Sequence, residues 1–332
     1  VAIQGVTGGT AALASLDINN AAGSGTIEVN NIGAGAAGVT GATRIGNANT
    51  TQLTLDGTVY NTDGTQTYTA TAGGQVIDLT GAGVTFTATN DAITFATGTV
   101  ELGNGANLTV NSAGGDISLV AIKGTSVEDV TLNATGGDVT VGQIGAAAAE
   151  INVVAITGAT INLGGNINTD DDTVGGSVSL TGAVVLTAAV TIDTDAGNGT
   201  VTLSSTLNGA FDFDISSGTG AVAIQGVTGA TAALASLDIN NLGGSGTIEV
   251  NAIGAGAAGV TNATRIGNAA TTQLTLDGTV YKTTGAQTYV AVAGNTIDLT
   301  AGATTTFTST NTAITFGTGT VELADGSNLV VT

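Results

Sequence analysis

The chain has 332 residues, 42% hydrophobic, 9% charged and 3% aromatic, with a net charge of −21. Its only cations, Arg44, Lys123, Arg265 and Lys282, cannot supply the clustered charge that nucleic acid or anionic lipid demands. Without Cys or His it has no disulfide, no thiolate site, no imidazole base and no imidazole metal ligand.

Other absences narrow the class further. Gly reaches 53 residues without a Gly-X-Y period, which excludes collagen, and the lack of Pro leaves turns to Gly, Asn and Asp. No apolar run approaches the roughly 18 residues of a membrane span. The longest, AVVLTAAVTI at 183–192, is strand-length. Met is also absent, so a processed product or a segment of a longer polypeptide is expected. Any secretion leader would then be out of view.

Taken in order, the chain reads as short alternating runs with almost no helix signal. TIEV at 26–29, TQLTL at 51–55, VTFTAT at 84–89 and AITF at 92–95 come first. DISLV at 116–120, DVTL at 129–132, DVTV at 138–141, TINL at 160–163, SVSL at 177–180 and TVTLS at 200–204 follow. Each is bounded by Gly, Asn or Asp, and each alternates apolar with Thr, Ser, Asn or Asp, as half-buried strands do.

The chain is also written twice. Val222 to Ala291 repeats Val1 to Ala70 at an offset of 221 residues, with 60 of 70 positions identical. The match continues to the end, with one residue dropped before Asp298 and regained before Phe307. Residues 1–221 therefore form one long repeat and 222–332 the first half of the next, expected as one continuous array.

A finer period lies inside the repeat. Ile117, Val139 and Ile161 are 22 residues apart, as are Ile122 and Ile144, and Gly-Gly-Asp precedes Ile117 and Val139. Extended along the chain, the register runs Val1, Ile27, Leu53, Val76, Ile93, Ile117, Val139, Ile161, Val178, Val201, Val222, averaging about 22 residues in ten steps. Two of those steps are only 17 residues long. Ten coils per repeat is the arithmetic of an all-β parallel β-helix, or β-solenoid. One coil cannot bury its own inward side chains, but coils stacked about 4.8 Å apart turn Val, Ile and Leu into interior ladders.

The two copies differ where such a fold permits. Asn61, Asp63, Thr65 and Thr69 become Lys282, Thr284, Ala286 and Val290, while the inward candidates Ile3, Leu16, Ile18, Ile27, Val29, Leu53 and Leu55 are unchanged. Asn pairs at 19–20, 30–31 and 240–241 follow strands, where stacked amides are expected as ladders. A string of Ig-like sandwiches is the competing architecture, but the chain has no Trp, no Pro and no composition break.

Segments such as GDVTV, ALASLDIN, GAQTY, NTAITFGTGTVEL and GSNLVVT resemble the filamentous-haemagglutinin-like group, the giant β-strand-repeat surface exoproteins of bacteria. The resemblance covers essentially the whole chain through motifs of low complexity. It implies a right-handed parallel β-helix, secretion to the cell surface, a role in adhesion or surface fibres, and no catalytic residues.

Chemistry is expected to be sparse. Asn168-Thr169-Asp170 with Asp171 and Asp172 superficially resembles the acidic motifs of polygalacturonases, whose paired carboxylates activate water. Those enzymes also use a histidine and a basic motif, which this chain lacks near residue 170, so no enzyme is expected. Calcium suits the same loop better, because Asp170, Asp171 and Asp172 offer three hard oxygen ligands within one turn. Asp193, Asp195 and Asn198 form a second such group, and Asp212 with Asp214 a third; a plain solvated corner is the alternative at each. Rows such as Thr85, Thr87 and Thr89 raise ice binding, which needs a regular Thr-x-Thr array. Tyr60, Tyr68, Tyr281 and Tyr289 suit the solenoid edge or a stacked sugar, and the sequons at Asn107 and Asn133 are expected by chance.

The expected function is an extracellular structural or adhesive fibre. Its partners are its own copies, joined end to end or laterally, and host or cell-surface polysaccharide. Nucleic acid and membrane insertion are not expected. A calcium-dependent surface-layer or carbohydrate-binding module is the alternative, separated by a calcium titration of melting temperature. Both terminal runs, VAIQGV and NLVVT, are apolar. The expectation is therefore a window on a longer polypeptide, or chains stacked head to tail into a filament with a repeat of about 4.8 Å.

Overall fold

Alternating runs of β-branched residues make strands because their pleat sends successive side chains to opposite faces, one buried and one wet. The computed structural model describes residues 1–71, 76–125, 127–169, 176–194, 198–310 and 312–332. Among them there is no helix, and 51% of the structure is strand, stacked in parallel as a β-solenoid of about 13 turns. By contact density the chain divides into two compact units, Val1–Asn162 and Leu163–Thr332.

In the first unit, three inward ladders carry the core. One runs Ile27, Leu53, Ile77, Val100, Ile122, Ile144. A second runs Ile18, Ile45, Tyr68, Phe95, Leu119, Val141. The third runs Tyr60, Phe86, Val110, Leu132, Ile156. Every one of these side chains is buried. In the second unit Val178, Val201, Val222, Ile248, Leu274 and Ile297 form one ladder. Ile167, Ile192, Ile215, Ile239, Ile266 and Tyr289 form another.

Turns lie about 24 residues apart, against the expected 22 or so. The shorter step holds from Val100 to Ile122 and from Ile122 to Ile144, where corners are tight. The 26-residue step from Ile27 to Leu53 is longer because residues 33–42 widen the corner beyond Ile32. The register also needs correction at Val76. Leu53 stacks on Ile77, while Val76 pairs with Thr99 and is only half-buried. Ile93 follows Gln66 on a different ladder, so the 17-residue step from Val76 to Ile93 jumps between ladders.

The Gly-Gly-Asp corners show how coils are clipped together. Asp138 donates its amide to the Asp116 carboxylate at 2.9 Å, and Thr160 donates its amide to the Asp138 carboxylate at 3.0 Å. The glycine before each Asp lies against the coil beneath. A Cβ on Gly137 would collide with the backbone of Gly115, and one on Gly115 with the backbone of Asp91. Asn residues act similarly. Asn31 accepts the amides of Thr58 and Val59 at 2.7 and 3.0 Å, and Asn240 brackets Ser217 through both its oxygen and its nitrogen.

Glu128 is the one acidic residue in the core whose carboxylate is fully enclosed among the described residues. It accepts the Gly105 amide at 2.7 Å, the Thr125 amide at 2.6 Å and the Thr125 hydroxyl at 2.7 Å. Burial alone would raise its pKa, but those donors outweigh burial and hold the carboxyl below the ordinary glutamate value. A depressed folded pKa stabilises above the unfolded value near 4.5, and that stabilisation is lost as pH falls through the folded value. Glu128→Gln should therefore cost about 1–3 kcal/mol at neutral pH. Thermal melts of both proteins on descending pH should show the gap closing in acid; a gap constant with pH would contradict this role.

Candidate functional site

A parallel coil brings the outward residues of successive turns into register just as it does the inward ones, so candidate sites on such a fold are rows that run across turns. On one face of the first unit, Glu28, Thr54, Asp78, Glu101 and Lys123 are consecutive register partners. The second unit carries the same row as Glu249, Thr275, Asp298 and Glu322. Like charges directly opposed in a sheet repel. Burial raises the Asp78 pKa, against a lowering hydrogen bond from Gln52.

A second face of the first unit carries rows of hydroxyl and amide side chains. Thr85, Thr109 and Thr131 form one row, with Thr87, Asn111 and Asn133 beside it. Together with Thr89, Ser112, Ala113 and Thr135, this second row lines a shallow groove. The successive triplets read Thr-x-Thr, Thr-x-Asn and Thr-x-Asn, so the array mixes hydroxyl with amide and is not a pure threonine lattice. Sequence spacing alone did not bring these residues together, because the row appears only once the register is fixed.

The cations are dispersed. Arg44 meets Asp17 at 3.4 Å and Arg265 meets Asp238 at 2.9 Å, while the Lys282 ammonium donates to the Gly256 carbonyl at 2.7 Å. The four tyrosines are not at an edge or on a surface. Tyr60, Tyr68, Tyr281 and Tyr289 are wholly buried, which excludes them from sugar stacking in this structure. Their rings need an apolar interior, and each hydroxyl finds a partner there. Tyr60 donates to the Val29 carbonyl at 2.9 Å and Tyr68 to the Gln66 side chain at 2.8 Å.

Of the acidic groups expected to hold calcium, Asp170, Asp171 and Asp172 lie outside the described residues, as does Asp195. Asn168 and Asp193 are register neighbours at the ends of Ile167–Asn168 and Val190–Asp193. Thr169 is buried, with its hydroxyl donating to the Gly176 carbonyl at 3.2 Å. Asp212 and Asp214 share the strand Asp212–Ser216, and Asp214 stacks on Asp238. Burial, then Asp238 and Asp212, raise the Asp214 pKa, while Arg265 lowers it. Among the described residues no three acidic side chains converge as a cation cage would require. Compared with protein-family models, curated proteins and solved structures, the chain shows no match.

Proposed function

We propose that this chain is part of an extracellular structural or adhesive fibre of the filamentous-haemagglutinin-like kind, wound as a right-handed solenoid and displayed at the cell surface. The observation that supports it most is the repetition of a turn-on-turn core. Ile27, Leu53, Tyr60 and Phe86 recur as Ile248, Leu274, Tyr281 and Phe307 with the same neighbours above and below. A core made only of nearest-neighbour contacts lengthens by adding repeats and needs no new design, which suits a protein whose task is reach. Its partners in this reading are other copies of itself and host or cell-surface polysaccharide, met along rows of hydroxyl, amide and carboxylate groups. Catalysis, nucleic-acid binding and membrane insertion have no part in it.

Immunogold labelling of intact producing cells tests the proposal. Label on filaments outside the cell, removable by added protease, is the expected result. Label found only inside intact cells would overturn it.

A further inference from the structure

Asn followed by Gly is the pair most prone to deamidation, because glycine has no side chain to hinder attack of its nitrogen on the asparagine. The glycine nitrogen, once it loses its proton, attacks Cγ of the preceding asparagine. A new N–Cγ bond forms, the Cγ–Nδ2 bond breaks, and ammonia leaves with the proton. Water then opens the succinimide ring at either carbonyl, leaving aspartate or isoaspartate. The rate depends on freeing the glycine N–H and on letting the asparagine side chain swing onto it.

The sequence contains three such pairs, Asn104-Gly105, Asn198-Gly199 and Asn208-Gly209. Two are held at both reacting groups. Gly199 donates its amide to the Thr194 carbonyl at 3.1 Å, and the Asn198 side-chain oxygen accepts the Thr219 amide at 2.8 Å. Gly209 donates to the Ala232 carbonyl at 3.2 Å, and the Asn208 side-chain oxygen accepts the Thr231 amide at 2.9 Å. Asn104 differs. Its side chain is exposed and makes no hydrogen bond among the described residues. Gly105, at φ +75°, has open space around it. The remaining restraint is the 2.7 Å bond from the Gly105 amide to the enclosed Glu128 carboxylate, one turn away in the solenoid.

We propose that Asn104-Gly105 is a latent self-modification site held shut by Glu128. A carboxylate is the strongest acceptor the protein can offer that N–H, and its negative charge opposes formation of an amide anion beside it. Thr125, donating both amide and hydroxyl, fixes the carboxylate in place. Those donors hold its pKa below the ordinary glutamate value, so Glu128 carries its charge at neutral and alkaline pH, where the attack on asparagine is fastest. Such a clip preserves the corner at residues 103–106.

The test is ageing of the folded protein in mildly alkaline buffer, followed by peptide mapping that separates Asn, Asp and isoaspartate. A synthetic peptide spanning 102–108 gives the unrestrained rate. Wild-type Asn104 should be much slower than the peptide. Glu128→Ala should speed Asn104 by about tenfold or more, the factor expected when a charge-assisted hydrogen bond is lost, and leave Asn198 and Asn208 unchanged. Glu128→Gln keeps an acceptor oxygen without the charge and should fall between, which covers the case in which the alanine variant does not fold. Wild-type Asn104 ageing at the peptide's rate would overturn the proposal. So would a variant of native circular dichroism in which Asn104 ages no faster than in wild type.

Discussion

Phe86→Ala should destabilise the first unit by about 3–5 kcal/mol, the range for emptying a buried aromatic site. Phe86 is wholly buried. It stacks on Tyr60 at 4.8 Å between centroids and meets Tyr68 and Phe95 edge-on at 5.2 and 5.0 Å. Tyr68 in turn stacks on Phe95 at 5.2 Å, so four rings lock two adjacent ladders together. The cavity cannot collapse easily, because backbone ladders on every side fix the ring positions. Beneath the rings, the buried Gln66 amide donates to the Tyr60 and Thr87 carbonyls at 3.2 and 2.7 Å. Denaturant unfolding should show Thr87→Ala, an outward change on the same strand, staying within about 0.5 kcal/mol. Phe307→Ala tests the second copy, where Tyr281, Tyr289 and Phe316 rebuild the same arrangement. A cost below about 1 kcal/mol for Phe86→Ala would mean that the cluster repacks freely.

That cluster is also where sequence reasoning stopped short. Alternation identified strands well, since a period of two needs only local information, and Gly-Gly-Asp fixed the register wherever it occurred. At Val76-Ile77 two apolar residues stand side by side, so parity is ambiguous until the strand Val76–Leu79 finds its neighbours. The tyrosines, expected at the solenoid edge or against a sugar, are instead buried. The missed signal was the repeated Gln-x-Tyr, at 66–68 and 287–289, which brings its own acceptor into the core. Surface rows were harder still. Thr85, Thr109 and Thr131 are neighbours only across turns of unequal length, so a fixed period cannot align them.

The difference between Val139→Asp and Thr140→Asp tests the fold at its most repetitive point. Val139 is wholly buried and stacks on Ile117 in register. On its other side, Thr160 bonds to Asp138, and the Asn162 side chain reaches the Thr140 hydroxyl at 3.4 Å, which sets Ile161 beside Val139. An aspartate there would be buried on the aliphatic Ile117. Leaving a buried charge without donors costs several kcal/mol, enough to unfold several coils at once. The new carboxyl escapes part of that cost by taking up a proton, so its folded pKa rises and the penalty shrinks as pH falls. Thr140 points to solvent, and Thr140→Asp should change stability by no more than about 0.5 kcal/mol. Denaturation of both variants at neutral and acid pH separates the cases. Equal losses from the two substitutions would place the strand Val139–Ile144 in the opposite parity, with Thr140 inside and every ladder through it reassigned.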